Sequence, residues 1–266
     1  MNIVKKIKAY FSAKQALVAK YADPDTIFIY QMGKVGSTSL EHSIPGAIHI
    51  HAFYLKNHTC PVRVKGLAKF GWRYFIYSIE QAFFSALLRW TFKKRKHTKI
   101  ITLVREPRSR NLSMFFHDLD AYLFAAHTNC LSTRNKPLST RVQSKDLIEQ
   151  VYNEEFDHLY ALNWFEKEFK PMTGIDIYST AFDKDLGYSQ ISNGNISVLC
   201  VRTDRLDSSV EIIEKFIGKQ LIMVNSNSAE TKWYSDLYQH FALSYKLPET
   251  IEKKIITSKF YQHFFN

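Results

Sequence analysis

Two short apolar runs, each handing over to a cation-bearing loop that opens a helix, constrain this chain more than any other feature. The first is Thr26-Ile27-Phe28-Ile29-Tyr30, continued by Gln31-Met32-Gly33-Lys34-Val35-Gly36-Ser37-Thr38-Ser39-Leu40. The second is Lys99-Ile100-Ile101-Thr102-Leu103-Val104, continued by Arg105-Glu106-Pro107-Arg108-Ser109-Arg110-Asn111-Leu112-Ser113. β-Branched and aromatic runs of this kind read as buried strands. The ends of parallel strands face the crevice in which α/β proteins bind ligands. Cations and hydroxyls at two such ends make two anion sites, and two anion sites suggest one ligand with two anionic ends.

In the first junction, Gly33 and Gly36 allow backbone angles that bulkier residues resist, and they let a ligand approach the main chain. Ser37, Thr38 and Ser39 open the helix, with Ser37 expected as its cap. The first amides of a helix lack internal partners and sit at the positive end of its dipole, where a phosphate or sulfate fits. Lys34 adds a mobile charge. A Walker A loop places its Lys after the second Gly, whereas Lys34 precedes Gly36, so a magnesium-nucleotide loop is a poor match. The plain alternative is a solvated lysine beside a routine cap. In the second junction, Pro107 suits a first helical turn. Arg105 and Ser113 can flank one anion from strand end and helix face, the arginine through paired hydrogen bonds to phosphate. Arg108 reads as solvent-facing.

Together these stretches resemble the sulfotransferases that use 3′-phosphoadenosine 5′-phosphosulfate. Residues 31–39 look like that family's 5′-phosphosulfate loop, and residues 105–113 look like its 3′-phosphate motif, R-D-P-x-x-R-x-x-S, with Glu106 in place of Asp. Met32-Gly33 departs from the usual Pro-Lys approach to the loop. The resemblance implies a P-loop-like three-layer α/β fold, a parallel sheet flanked by helices, with helical additions. It also implies that Lys34, Val35, Gly36, Ser37, Thr38 and Ser39 hold the phosphosulfate while Arg105 and Ser113 hold the 3′-phosphate. Asn195 to Val201 is expected as a further strand. Ser208 with Glu211 is expected as a capping box and Gly218 as a helix stop. Thr231-Lys232-Trp233-Tyr234-Ser235 resembles a signature of bacterial capsular polysaccharide synthesis proteins, which adds Lys232 to the expected cofactor contacts.

The chain of 266 residues suits one α/β domain over residues 1–266. A net charge of +11 favours an acidic partner, whether nucleotide, anionic glycan, membrane surface or nucleic acid. Cys60, Cys130 and Cys200 show neither metal spacing nor a disulfide framework, and read as reduced thiols of a cytosolic protein. Residues 1–24 read as an amphipathic helix and not a secretory signal. Its lysines are placed to touch a membrane surface, although docking onto the domain is the preferred reading. Residues 53–98 read as a helical insertion. The long apolar stretch from Phe70 to Phe92 is interrupted by Arg73, Glu80, Gln81 and Arg89, so it is too short for a span. Lys93-Lys94-Arg95-Lys96 reads as a solvated helix end. Leu119 to Arg141 reads as a loop-rich cover over the acceptor site.

For the chemistry, Gly46-Ala47-Ile48-His49-Ile50-His51 matters most. Strand alternation puts both histidines on one face, and His51 lies nearer the carboxyl end. His51 is expected as general base, with His49 in reserve; His117, His127 and Glu41 remain open. Lys34 is expected to stabilise charge on the leaving group. The expectation is a cytoplasmic sulfotransferase, peripheral at the inner face of the membrane at most. It would move a sulfuryl group to a hydroxyl of a capsular or surface saccharide or its lipid-linked precursor, without metal and without nucleic acid. Two alternatives stay open: a phosphoryl-transfer enzyme on an atypical loop, and a non-catalytic binder of glycan, lipid or nucleic acid on the same scaffold.

Overall fold

The two apolar runs lie side by side. β1 (Ile27–Tyr30) pairs in parallel with β3 (Thr98–Val104), Phe28 opposite Ile100. β2 (Ile48–Ile50) pairs in parallel on the other side of β1, with Ile29 opposite His49. β5 (Ile196–Arg202) runs parallel to β3, and β4 (Tyr188–Asn193) closes the sheet antiparallel to β5. The order is β2-β1-β3-β5-β4. The computed structural model describes residues 3–54, 72–123, 144–223 and 232–266.

The chain is therefore α/β, with a mostly parallel five-stranded sheet flanked by helices. The uniformly parallel expectation is corrected at β4. Two residues, Gly194 and Asn195, join β4 to β5, and Gly194 takes a positive φ of 57°. A two-residue hairpin with Gly in first place favours that geometry and forces the antiparallel pairing. All of β1 is buried, and in β3 Lys99 alone is exposed. Burial on both faces is what a sheet covered on both sides requires.

Among the described residues the first helices are α1 (Ile3–Ala22), α2 (Ser37–Ser43), α3 (Trp72–Lys93) and α4 (Pro107–His117). Residues 119–123 are also helical, and the rest of the expected cover up to Arg141 lies outside the described residues, as does His127. Later helices span Ser144–Glu155, Tyr160–Trp164, Val210–Ile217, Ser235–Ser244, Glu249–Ile256 and Lys259–Phe264. Tyr160–Trp164 runs on into a π-turn, Phe165–Phe169. The back of α4 packs into an aromatic cluster of Phe115, Phe116, Tyr152, Phe156 and Phe241, so that helix is fixed from behind as well as from the sheet. Gly218 ends Val210–Ile217 at φ 78°, as expected. The capping box does not form. The hydroxyls of Ser208 and Ser209 donate instead to the Arg205 carbonyl, because two 3₁₀ turns precede the helix and bring that oxygen closer than the helix amides.

Two expectations about the N-terminal half change. Arg95 is not part of a solvated helix end. It is buried, and its guanidinium donates to the carbonyls of Tyr21, Asp23, Pro24 and Thr26 and to the Thr98 hydroxyl. It thereby ties the end of α1 to the entries of β1 and β3. Docking of α1 is also partial. Tyr21 packs edge-on against Phe28 at 5.3 Å, whereas Val4, Ile7 and Phe11 are exposed. Replacing Arg95 by Met keeps the apolar stem but leaves several buried carbonyls without a donor. Arg95→Met should lower the unfolding free energy by about 3 kcal/mol. Denaturant melts reporting an unchanged stability would show that these carbonyls find other donors. Cys200 sits buried within β5 with its thiol pushed up by burial; Cys60 and Cys130 lie outside the described residues.

Candidate active site

The strand order reverses direction at β1: the chain moves outward to β2, then returns across β1 to β3. Ligands of open α/β sheets bind at such a switch point, beyond the carboxyl ends of the strands. Here a cavity of about 390 Å³ occupies that place. The first junction lines it with Lys34, Gly36, Ser37 and Thr38, and β2 with His49 and His51. The second junction contributes Arg105, Ser113 and His117, and the C-terminal part contributes Lys232, Tyr234 and Tyr238. Residues roughly 200 positions apart in the sequence thus face one space. Val35 and Ser39 are the two expected contacts that do not line it. Val35 is buried beneath the loop, and the Ser39 carbonyl accepts from Ser43 within α2.

The loop after β1 is held in a specific shape. Lys34 has φ 68° and Gly36 φ 85°. A left-handed lysine costs about 1–3 kcal/mol unless its surroundings fix it, and here they do. Arg105 donates from Nη1 to the Lys34 carbonyl at 3.2 Å, and Arg110 donates from Nε to the Gly33 carbonyl at 3.0 Å. The Thr203 hydroxyl lies 2.7 Å from the Val35 carbonyl and 3.0 Å from that of Val104, bridging the loop to the end of β3. At Gly36 a Cβ would meet the Thr203 methyl at 2.9 Å, so the position excludes a side chain on space as well as on φ. Gly36 itself is the N-cap of α2, with no side-chain cap bond, which corrects the expectation for Ser37. Ser37 is one residue further on, inside the helix. At the second junction Glu106 caps α4, accepting from the Ser109 amide at 2.9 Å, which gives a local reason for an acidic residue there.

The electrostatics are those of an anion site. Burial and then the neighbouring Lys232 cation pull the Lys34 ammonium down to about 8, with Arg105 and Arg110 adding to the effect and Asp118 opposing it. Arg110 is wholly buried, which lowers its guanidinium to about 10. A negative ligand would relieve this crowding of cations. Among the described residues, no group of three His, Cys, Asp or Glu side chains is placed to hold a metal ion.

The two histidines lie as alternation predicts, with ring centroids 4.3 Å apart. His51 is open to the cavity, and its Nδ1 lies 3.2 Å from the Gln31 carbonyl. A carbonyl only accepts, so Nδ1 carries the proton and Nε2 keeps its lone pair. Burial, then His49, hold His51 at about 4, so it is neutral and able to accept a proton at pH 7. His49 is likewise held at about 4 by burial, and its Nδ1 is 3.1 Å from Glu41. As a neutral ring it donates there, leaving a buried Nε2 without a partner. The segment carrying His51 is fixed from several sides. Trp164 Nε1 donates to the His51 carbonyl at 3.1 Å, and the buried Glu168 accepts from the amides of Phe53 and Tyr54 and from the Tyr30 hydroxyl.

Residues 140–266 match the NKWYS family model, described as "Putative capsular polysaccharide synthesis protein". The match covers just under half of the chain. No curated protein and no solved structure matches significantly. The chain reads Lys232-Trp233-Tyr234-Ser235 after Thr231, so it keeps the last four letters that the NKWYS name spells. Within the matched part, Lys232, Tyr234 and Tyr238 reach the cavity. Tyr238 lies four residues beyond Tyr234, on the same helical face, and that spacing is the signal by which it could have been found. Thr203, Arg110, Trp164 and Glu168 also build the site. Each acts through a backbone group distant in sequence, which no local pattern reveals.

Proposed function

We propose that this chain is a sulfotransferase that moves a sulfuryl group from 3′-phosphoadenosine 5′-phosphosulfate to a saccharide hydroxyl. The observation that carries the reading is the switch-point cavity, in which Lys34 and Arg105 come from the ends of β1 and β3 and a neutral histidine faces them. A donor with anionic groups at both its 5′ and 3′ positions suits two such strand ends. Lys34, Lys232, Ser37 and Thr38 would hold the 5′ end, and Arg105 with Ser113 the 3′-phosphate. The acceptor oxygen bonds to sulfur as the bond from sulfur to the bridging phosphate oxygen breaks. His51 Nε2 takes the hydroxyl proton, and Lys34 faces the negative charge that grows on the leaving oxygen. Similarity of the C-terminal part to capsular polysaccharide synthesis proteins favours a capsular or surface saccharide, free or lipid-linked, as acceptor. The cytoplasm is the proposed place of that chemistry, in keeping with three cysteines that show no disulfide framework.

Titration calorimetry with 3′-phosphoadenosine 5′-phosphate and with 5′-AMP tests the reading, because the two differ in the 3′-phosphate alone. The bisphosphate should bind more tightly. Arg105→Ala should weaken it by about 1.5–3 kcal/mol, roughly ten- to hundredfold, and should cost 5′-AMP distinctly less, a smaller loss that reflects the Lys34 carbonyl contact of the 5′ loop. Equal affinities for the two nucleotides would remove the 3′-phosphate assignment.

A further inference from the structure

The helices α1 and α3 are built into the core at their C-terminal ends only. Tyr21, Phe92 and Arg95 are buried there, and Phe28 packs edge-on against Phe92 at 5.0 Å. Further out the two helices hold mainly each other. Lys14 pairs with Glu80, to which the Tyr10 hydroxyl also donates, and the Lys14 ammonium lies 4.5 Å from the centre of the Phe84 ring. Away from this seam, α3 presents Trp72, Phe75, Ile76, Ile79, Phe83 and Trp90, every one of them more than half exposed. At 100° per residue they fall within about a third of the helix circumference. Phe83 is 74% exposed and Trp72 69%. Val4, Ile7 and Phe11 repeat the pattern on α1. Among the described residues, eleven of the sixteen large exposed apolar side chains lie on these two helices. Scattered exposed apolar residues need no explanation, but a contiguous patch does.

The charge of the chain is gathered in the same place. Segments 3–22 and 72–96 hold eleven Lys and Arg against one acidic residue, Glu80, a balance of +10, of which the buried Arg95 belongs to the interior and not to this face. The whole chain carries +11, so everything else together is close to neutral. A second copy of the chain laid on this face would set one cationic surface against another. An anionic bilayer instead takes both features: apolar side chains enter the acyl boundary while lysines meet the headgroups. The two tryptophans stand 18 residues apart, and the Lys94 ammonium lies 3.7 Å from the centre of the Trp90 ring. That is how an amphipathic aromatic and a snorkelling lysine share an interface. No helix among the described residues is long and apolar enough to cross a membrane, so the contact is with the surface.

We propose that the exposed faces of α1 and α3 form a docking surface for an anionic lipid bilayer. The proposal does not depend on the reaction assigned to the cavity. Sedimentation of the full chain with phosphatidylcholine vesicles, with and without about one third phosphatidylglycerol, tests it. Partitioning should rise at least about tenfold on the anionic vesicles and fall with added salt. The double variant Phe75→Glu/Phe83→Glu should lose at least about tenfold of it while keeping its unfolding midpoint, since Phe75 is 65% exposed and Phe83 74%. Equal binding to neutral vesicles, undiminished binding by the variant, or no binding at all would overturn the proposal. So would a wild-type dimer that the variant turns into a monomer, because a second copy would then cover the face. Should the variant not fold, a Trp233→Phe background leaves Trp72 and Trp90 as reporters beside the buried Trp164. Quenching of that fluorescence by brominated lipid supports insertion, and its absence overturns it.

Discussion

His51→Ala should lower the turnover number by a factor on the order of 10²–10⁴ and leave bisphosphate affinity within about twofold. The geometry sets that split. His51 stands where the carboxyl end of β2 meets the cavity, with Nδ1 fixed on the Gln31 carbonyl and Nε2 left as acceptor. It can therefore receive a proton without being a main anion contact. The pH profile carries a second signature. An unperturbed histidine loses its basic form near its ordinary value of about 6.5. Burial and His49 hold this one at about 4, so kcat/KM should fall only as pH drops through that lower value. With an anion bound beside it, the imidazolium is stabilised and the acidic limb of kcat should lie higher than that of kcat/KM. Full activity in His51→Ala would move the base elsewhere, first to His49. An acidic limb unchanged in that variant would do the same.

Lys34→Ala should cost about 10²–10³ in turnover, more than it costs in affinity, because the charge it faces grows on the way to the transition state. Retained turnover with a raised KM would make Lys34 a binding residue alone. Its pH dependence runs the other way from that of His51. Burial and Lys232 lower the ammonium to about 8 in the free protein, so it is charged at pH 7 and loses its proton as pH rises through that value. Bisphosphate affinity and kcat/KM should both decline above about pH 8. Lys34→Arg should shift that limb upward, since arginine stays protonated. A profile flat to pH 10 in the wild type would mean that another cation dominates the site.

Much of this architecture can be read from the residues. The runs at β1 and β3 are dense enough in β-branched and aromatic side chains to declare buried strands. Pro107 marks the start of α4 and Gly218 the end of Val210–Ile217. The alternation in Gly46–His51 puts both histidines on one face. What the residues conceal is long-range. Thr203 reaches a carbonyl 168 positions earlier, Arg110 one 77 earlier, and Glu168 an amide 115 earlier. A hydroxyl, a guanidinium or a carboxylate seeking a backbone group across the fold leaves no periodic trace. The cap assigned to Ser37 failed for a related reason. Gly36 takes the cap position, and what reserves that position for glycine is the Thr203 methyl, which a Cβ there would meet at 2.9 Å from far along the chain. Arg95 misleads most, because three adjacent cations make it look solvated while four carbonyls claim it.

The sheet order has a consequence for how the matched region can be cut from the rest. Residues 140–266 carry β4 and β5 but not β3, and β5 pairs with β3 along seven consecutive positions. A fragment beginning at residue 140 would present that whole ladder of amides and carbonyls, flanked by Val198, Leu199 and Val201, as an open apolar edge. Such an edge recruits other strands. The fragment would also keep Lys232 and both cavity tyrosines while losing Lys34 and Arg105. The boundary of sequence similarity thus runs through the middle of the sheet and through the middle of the cavity, and neither half is a unit of folding or of chemistry by itself.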